Sequence, residues 1–281
     1  MSEQRPPRRY ARRVTNAPER TLPPRTPSFI AVCIATGLLA GLMSGLFGVG
    51  GGTVIVPLLV LMLKFDQRLA AGTSLAAIVP TATVGVISYA MHGSVAWIPA
   101  ILLAAGAVVG AQIGTWALPR VSQTVLRWGF VGFAVVVIVS LFLVIPSRDS
   151  EIQLTLLSGI ALVVVGVLTG ILAGLIGVGG GVIVVPVLML LFGASDLQAK
   201  GTSLLMMIPT AISGTVGNLR RKNVDLVAAA CVGIAACTTT ALGAWIATLL
   251  DPFVANILFA AFMVFIAVQM ALKAIRGRGK G

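Results

Sequence analysis

Charge is scarce in this sequence. Asp, Glu, Lys and Arg make up 10% of its 281 residues, where an average soluble domain carries about 25%. Long stretches hold none at all: Phe29 to Leu63, Leu69 to Ala90, and Asn256 to Leu272. Apolar runs of that length read as membrane spans rather than as a soluble core. Histidine occurs once. The three cysteines, Cys33, Cys231 and Cys237, sit in apolar runs and form no C-x-x-C pair, which disfavours a metal or redox centre and suits small core residues. No His/Asp/Glu/Cys constellation lies at depth in the spans, so an enzyme is not expected. No Lys-Ser/Thr follows the glycine-rich stretches, which excludes a P-loop. Their spacing is not G-x-G-x-x-G, which excludes a dinucleotide fingerprint. No cofactor and no metal are expected.

The charge that is present is mostly basic, +12 net, and it is placed at the ends. Seven arginines fall in the first 25 residues, and Lys273, Arg276, Arg278 and Lys280 close the chain. That distribution argues against nucleic acid as a partner. Basic residues flanking apolar spans mark the cytoplasmic side of a membrane and can touch anionic lipid heads. Residues 1–27 read as a disordered basic tail rich in Pro and Arg, and 275–281 as a basic C-terminal tail. The run from Phe29 is too long for a secretory signal and lacks a small-residue cleavage pattern.

Glycine, by contrast, is abundant, with 32 residues, and part of it is written twice. "GLFGVGGGTVIVP" at 45–57 and "GLIGVGGGVIVVP" at 174–186 are identical at nine of thirteen positions. The offset of 129 holds elsewhere. "AAGTSLAAIVPTA" (70–82) matches "AKGTSLLMMIPTA" (199–211). Gly114 and Trp116 fall on Gly243 and Trp245, and Phe130 and Phe133 fall on Phe259 and Phe262. Roughly 37–143 duplicates as 166–272 without a gap. That period is too long for a solenoid and suits the two halves of a transporter or channel. Residues 28–147 form the first transmembrane repeat and 148–274 the second.

Each half divides into five apolar segments: about 28–47, 53–63, 70–91, 95–118 and 124–145, then 152–176, 182–193, 199–218, 224–250 and 252–273. If all ten cross and the N-terminus is cytoplasmic, Lys and Arg split 18 inside to two outside, as the positive-inside rule requires. The alternative is eight crossings, with 53–63 and 182–193 re-entrant, and it fits the charges less well. Five crossings per half invert the second half relative to the first. The expected fold is an all-α polytopic membrane protein of two inverted five-segment repeats, with helices broken at the glycine motifs.

Segment 53–63 rises about 17 Å at 1.5 Å per residue, little more than half a hydrocarbon core of about 30 Å. Its start therefore lies at depth, and the second copy behaves likewise from the other side. Free amides and a partial positive charge at two such helix starts suit an anion. The candidate site comprises Gly48, Val49, Gly50, Gly51, Gly52, Thr53, Pro80 and Thr81 of the first half, with Gly177, Val178, Gly179, Gly180, Gly181, Val182, Pro209 and Thr210 of the second. A mid-span proline frees a backbone carbonyl, and the adjacent threonine hydroxyl can satisfy it or meet a ligand. Further polar groups expected at depth are Thr83, Gln112, Ser213 and Asn218. Gly72-Thr73-Ser74 and Gly201-Thr202-Ser203 lie nearer the faces, where they could cap helices or line the approach. Tyr89 and His92 read as near an outer face, Lys200 and Arg68 as solvated loop charges at opposite mouths, and Trp116 and Trp245 as interfacial anchors.

The doubled G-[LF]-x-G-V-G-G-G-x-x-x-V-P, each copy with a downstream G-T-S-L-x-x-x-x-P-T, resembles the TauE/SafE family of sulfite exporters over about 30–273. The resemblance implies a bacterial inner-membrane permease for small sulfur-containing anions, such as sulfite, sulfonates or sulfoacetate-like compounds, working in export. The expected protein is then a secondary transporter using alternating access around a midplane site, with both termini cytoplasmic. Its partners are the anion and the lipid bilayer, while a coupling ion, H+ or Na+, and the oligomeric state stay open. An anion channel of the same architecture and a non-transporting scaffold are the alternatives.

Overall fold

A computed structural model describes residues 25–143 and 155–278. Residues 1–24 of the tail expected over 1–27, the junction of the two halves near 147 and 148, and residues 279–281 of the tail expected over 275–281 lie outside the described residues. The first half folds as α1 (Pro27–Phe47), α2 (Gly52–Met62), α3 (Gln67–Ala90), α4 (Trp97–Ala117) with a short 3-10 turn (Leu118–Arg120), and α5 (Gln123–Leu143). The second folds as α6 (Leu156–Ile176), α7 (Gly181–Phe192), α8 (Asp196–Arg220), α9 (Leu226–Leu249) and α10 (Pro252–Arg278). No strand occurs among the described residues. Among the described residues, five helices, α1, α3, α4, α6 and α9, are long and apolar enough to cross a membrane.

Local chemistry explains the helix starts. Thr26 accepts from the Phe29 amide, with Pro27 as the first helical residue of α1, and Thr155 and Ser158 form a capping box at α6. Asp66 accepts from the amides of Arg68 and Leu69, Ser195 from that of Gln198, and Asp225 from those of Val227 and Ala228. Each side chain takes an amide that the helix itself cannot satisfy. The starts of α3 and α8 therefore lie several residues before the expected Gly-Thr-Ser caps, because Asp66 and Ser195 do that work.

Packing repeats with the sequence. Gly37, Gly41 and Gly45 of α1 lie against the carbonyls of Val232, Ala236 and Thr240 in α9. Gly166, Gly170 and Gly174 of α6 lie against those of Leu103, Ala107 and Ala111 in α4. Residue numbers rise together across each contact, so each pair is parallel. A Cβ at any of these six glycines would overlap the facing backbone, and the four-residue spacing keeps the stripe on one helix face. α3 and α8 pack on each other between the two pairs. The outward faces are apolar: Leu156, Ile160, Leu168, Ile98, Ile234 and Leu249 are all more than half exposed. A surface of that kind, contiguous around the bundle, calls for lipid rather than water.

The turns sort into two groups. Arg25 beside α1 pairs with Asp225 before α9 at 2.9 Å. Phe29 in the first turn of α1 lies 6.5 Å from Phe65 between α2 and α3. Arg68 at the start of α3 donates to the carbonyls of Pro119 and Val121 beyond α4. These contacts gather one end of the bundle, end A. At the other, end B, the start of α8 meets the α3–α4 turn: the Ala96 amide donates to the Thr202 hydroxyl at 2.9 Å. The same bond occurs at end A, where the Asp225 amide donates to Thr73 at 2.9 Å. Thr73 and Thr202 are 129 apart, as are Ala96 and Asp225.

Candidate functional site

Two chain breaks meet inside the bundle. The first runs 48–51 between α1 and α2. Gly48 (φ 68°) ends α1 with its amide on the Ser44 carbonyl, and Gly50 (φ 67°) and Gly51 (φ 75°) continue in the left-handed region. The second repeats this at Gly177 (φ 81°), Gly179 (φ 83°) and Gly180 (φ 88°), with the Gly177 amide on Ala173. Side chains rarely adopt that conformation, which is the reason for glycine at these six places. Gly51 and Gly180 act as N-caps of α2 and α7 with no side-chain bond to the first turn. The opening amides of both short helices, at Gly52, Thr53, Gly181 and Val182, therefore have no acceptor within their own helix.

The breaks touch one another. A Cβ at Gly52 would lie 2.7 Å from the Val178 backbone, and one at Gly181 would lie 2.7 Å from the Gly48 carbonyl oxygen. Between them sits Met207 of α8, whose terminal methyl contacts both Gly50 and Gly179, with Ile78 of α3 beside it. Ile78 and Met207 are themselves 129 apart. Gly51 faces the Ala40 carbonyl, two-thirds of the way along α1, and Gly180 faces that of Thr169 at the equivalent point of α6. All twelve residues Gly48–Thr53 and Gly177–Val182 are buried. The Thr53 hydroxyl is buried at the start of α2 without a hydrogen-bond partner. Pro57 follows four residues later, and having no N–H it leaves the Thr53 carbonyl without its helical donor.

The Pro-Thr pairs are less central than the glycines. Thr81 donates to the Ala77 carbonyl at 2.9 Å and Thr210 to that of Met206 at 2.8 Å. Each hydroxyl bonds back within its own helix, one carbonyl away from the group that the proline frees. Both threonines are buried, while Pro80 is exposed and Pro209 half-buried. Thr83 is exposed and bonds to Val79. Gln112, exposed, donates to Ser213, which in turn donates to the Val108 carbonyl. Gln112 and Ser213 join α4 to α8, and Thr83 bonds only within α3. Trp116 and Trp245 are each 54% exposed, and the Arg120 guanidinium lies 3.7 Å over the Trp116 ring.

One expectation from the sequence is corrected beside the first break. Lys200 is not a solvated mouth charge. It is 3% exposed, its backbone packs on Gly48, and its ammonium pairs with Asp196 at 2.8 Å within α8. Tyr89, near the end of α3, is 1% exposed and donates to the Gly45 carbonyl at 2.6 Å. The Ser203 hydroxyl, one turn after Lys200, donates to the Gly48 carbonyl. The i, i+4 spacing of Asp196 and Lys200 was the available signal for the pair.

Comparison with known proteins gives the family. The family described as "Sulfite exporter TauE/SafE" matches residues 5–141 and 162–281. The chain belongs to that family. Among curated proteins, the chain is similar to a "Probable membrane transporter protein" of Haemophilus influenzae, 29% identical over 265 residues, 88% of this chain and 99% of that one. It is also similar to one from Xylella fastidiosa strain Temecula1, 28% identical over 248 residues, 86% and 94% of the two chains. A third, "Probable membrane transporter protein YdhB" of Bacillus subtilis, is 27% identical over 193 residues, 67% and 78%. No solved structure gives a significant match. Family and relatives carry the names of membrane transporters, not enzymes, and this TauE/SafE protein is a multi-pass membrane transporter.

Proposed function

We propose that the protein is a secondary transporter for a small sulfur-containing anion, sulfite or an organosulfonate, working in export across a bacterial inner membrane. The carrying observation is the meeting of two uncapped helix starts, at Gly51 and Gly180, level with the interior of α1 and α6. Two partial positive charges converge there from opposite directions, and bare amides at depth are tolerated only where a ligand or water satisfies them. The bound anion is held by the free amides within Val49–Thr53 and Val178–Val182, with the Thr53 hydroxyl as a further donor; Gly48 and Gly177 shape the breaks, their own amides being bonded to Ser44 and Ala173. Thr81 and Thr210, next to Pro80 and Pro209, join only by turning away from their own helices.

The two halves, 28–147 and 148–274, are read as inverted repeats. α1 starts at end A, and its counterpart α6 runs parallel to α4, which starts at end B. The reciprocal contacts across the 129-residue offset support a two-fold relation with its axis in the membrane plane. The Phe29–Phe65 contact favours ten crossings over eight, since a re-entrant α2 would leave Phe65 at the end opposite Phe29. End A is read as cytoplasmic: it holds Arg25, Lys64, Arg68, Arg120 and the Arg220–Lys222 turn, whereas the Lys200 near end B is already paired. Both tails then lie in the cytoplasm. With all twelve site residues buried, the molecule is read as closed around its centre, one stage of an alternating-access cycle.

Flux of radiolabelled sulfite and of methanesulfonate in proteoliposomes, under imposed pH or sodium gradients, tests this reading. Saturable uptake that a gradient drives and that Gly181→Val abolishes is the expected result. No flux of any sulfur oxyanion by well-inserted protein would overturn it. Unitary currents would instead identify an anion channel.

A further inference from the structure

The duplicated halves make opposite use of four equivalent positions. Beside the first break, Asp196 and Lys200 are an ion pair, Ser203 bonds to the Gly48 carbonyl, and Tyr89 bonds to that of Gly45. Subtracting 129 gives Gln67, Ala71, Ser74 and, from Tyr89 by addition, Asn218. Ala71 packs on Gly177 as Lys200 packs on Gly48, and Asn218 packs on Gly72, which adjoins Ala71. Here one side-chain bond is made, from the Asn218 amide nitrogen to the Gly214 carbonyl at 3.0 Å within α8, and the others are missing. Both side-chain polar atoms of Gln67, the Ser74 hydroxyl and the Asn218 carbonyl oxygen are buried without a hydrogen-bond partner. All three residues are 0% exposed.

Four orphaned polar atoms at one flank of a break are a costly arrangement in apolar surroundings. Gln67, Ala71 and Ser74 stand at i, i+4 and i+7, one face of α3, and Ala71 puts that face on the second break. The alanine replaces a lysine, so the long side chain that fills the flank at Gly48 has no equivalent at Gly177. The first half therefore has unused donors where the second half has a closed set of bonds.

We propose that Gln67, Ser74 and Asn218 form a neutral subsite for a small oxyanion, on the end-A side of Gly177. The Gln67 amide nitrogen and the Ser74 hydroxyl donate to the anion. The oxygens of Gln67 and Asn218 hold its remaining water. The subsite is where the anion pauses between end A and the central amides, and it deepens the transport reading rather than standing apart from it. At the Gly48 flank the Asp196 carboxylate occupies the equivalent role towards Lys200, so that flank takes no anion while the pair holds.

The isosteric change Gln67→Glu discriminates the ligand's sign. It raises KM for sulfite in proteoliposomes if the ligand is an anion, and lowers it or creates sodium dependence if the ligand is a cation, which would overturn the proposal. Gln67→Leu and Ser74→Ala raise KM by about fivefold each, the scale of one lost hydrogen bond, with kcat changed by less than about twofold; an unchanged KM overturns it. A second measurement does not depend on flux. In a chain with Cys33, Cys231 and Cys237 changed to alanine, Ser74→Cys reacts with an anionic methanethiosulfonate from end A and is protected by methanesulfonate, while Ser203→Cys is unreactive. Equal reactivity at both positions, or no protection, sinks the subsite even where sulfite transport persists. Absence of all flux with protection intact sinks the transporter reading and leaves the subsite standing.

Discussion

The two halves share a backbone plan but not a charge plan. At the glycine breaks they are alike: the same left-handed residues, the same uncapped helix starts, the same contact of each break with the other. One turn away they part. The second half spends an ion pair and a serine bond on the flank of Gly48, while the first half leaves Gln67 and Ser74 unpartnered on the flank of Gly177. What must be common to both is the backbone that meets at the centre. What differs sits on either side of it, where a transporter's two approaches have to behave differently at any one moment.

The largest effect tests the likeness. Gly52→Val and Gly181→Val place a side chain against the facing break, and each is expected to lower transport by more than about 100-fold, the cost of displacing a reacting or binding geometry by about 1 Å. Flux assays alongside membrane-fraction blots read this. Loss in one half only would break the comparison at its base. Next comes the difference. Lys200→Ala leaves the Asp196 carboxylate buried alone and costs about 3–5 kcal/mol of stability, read by denaturation in detergent. The double change Asp196→Gln with Lys200→Ala rewrites this flank as the first half has it and recovers all but about 1–2 kcal/mol. Failure of the double variant to recover would show that the pair does more than neutralise itself. Ser203→Ala costs about 1 kcal/mol because it deletes a made bond, and Ser74→Ala costs nothing measurable in the same assay. The smallest effect concerns the Pro-Thr pairs. Thr81→Val and Thr210→Val each change stability by less than about 0.5 kcal/mol, and unequal transport by the two would assign one of them to the ligand.

Much of the fold was legible because membrane spans announce themselves by length and polarity, and because a repeat in register is hard to misread. The short helices after each glycine cluster fall within a residue or two of the expected segments, at Gly52–Met62 and Gly181–Phe192. The flanks were not legible. Asp196 and Lys200 stand near a turn, where charges are usually wet, and only the tertiary approach of the first break and of α3 to α8 buries them. Tyr89 stands three residues before His92 at the end of its helix, and its neighbours in sequence gave no hint that the hydroxyl would reach Gly45. The Asp66 and Ser195 caps compete in sequence with the Gly-Thr-Ser motifs a few residues on, which carry equally good capping side chains. Ile78 and Met207 are apolar residues in apolar helices, so composition could not single them out. Only the offset of 129 relates them.

That relation has a consequence for how the chain came to be one chain. On the proposed inverted-repeat reading, the two-fold axis passes close to the Met207 methyl, which lies against both Gly50 and Gly179, and two equal side chains cannot stand on the same point. In a dimer of identical subunits the partners would collide there or both withdraw, leaving a void. Joining the halves into a single polypeptide removes the requirement for sameness: one half supplies the long unbranched plug, the other steps aside with isoleucine. The plug is thus something a fused gene can make and a paired one cannot.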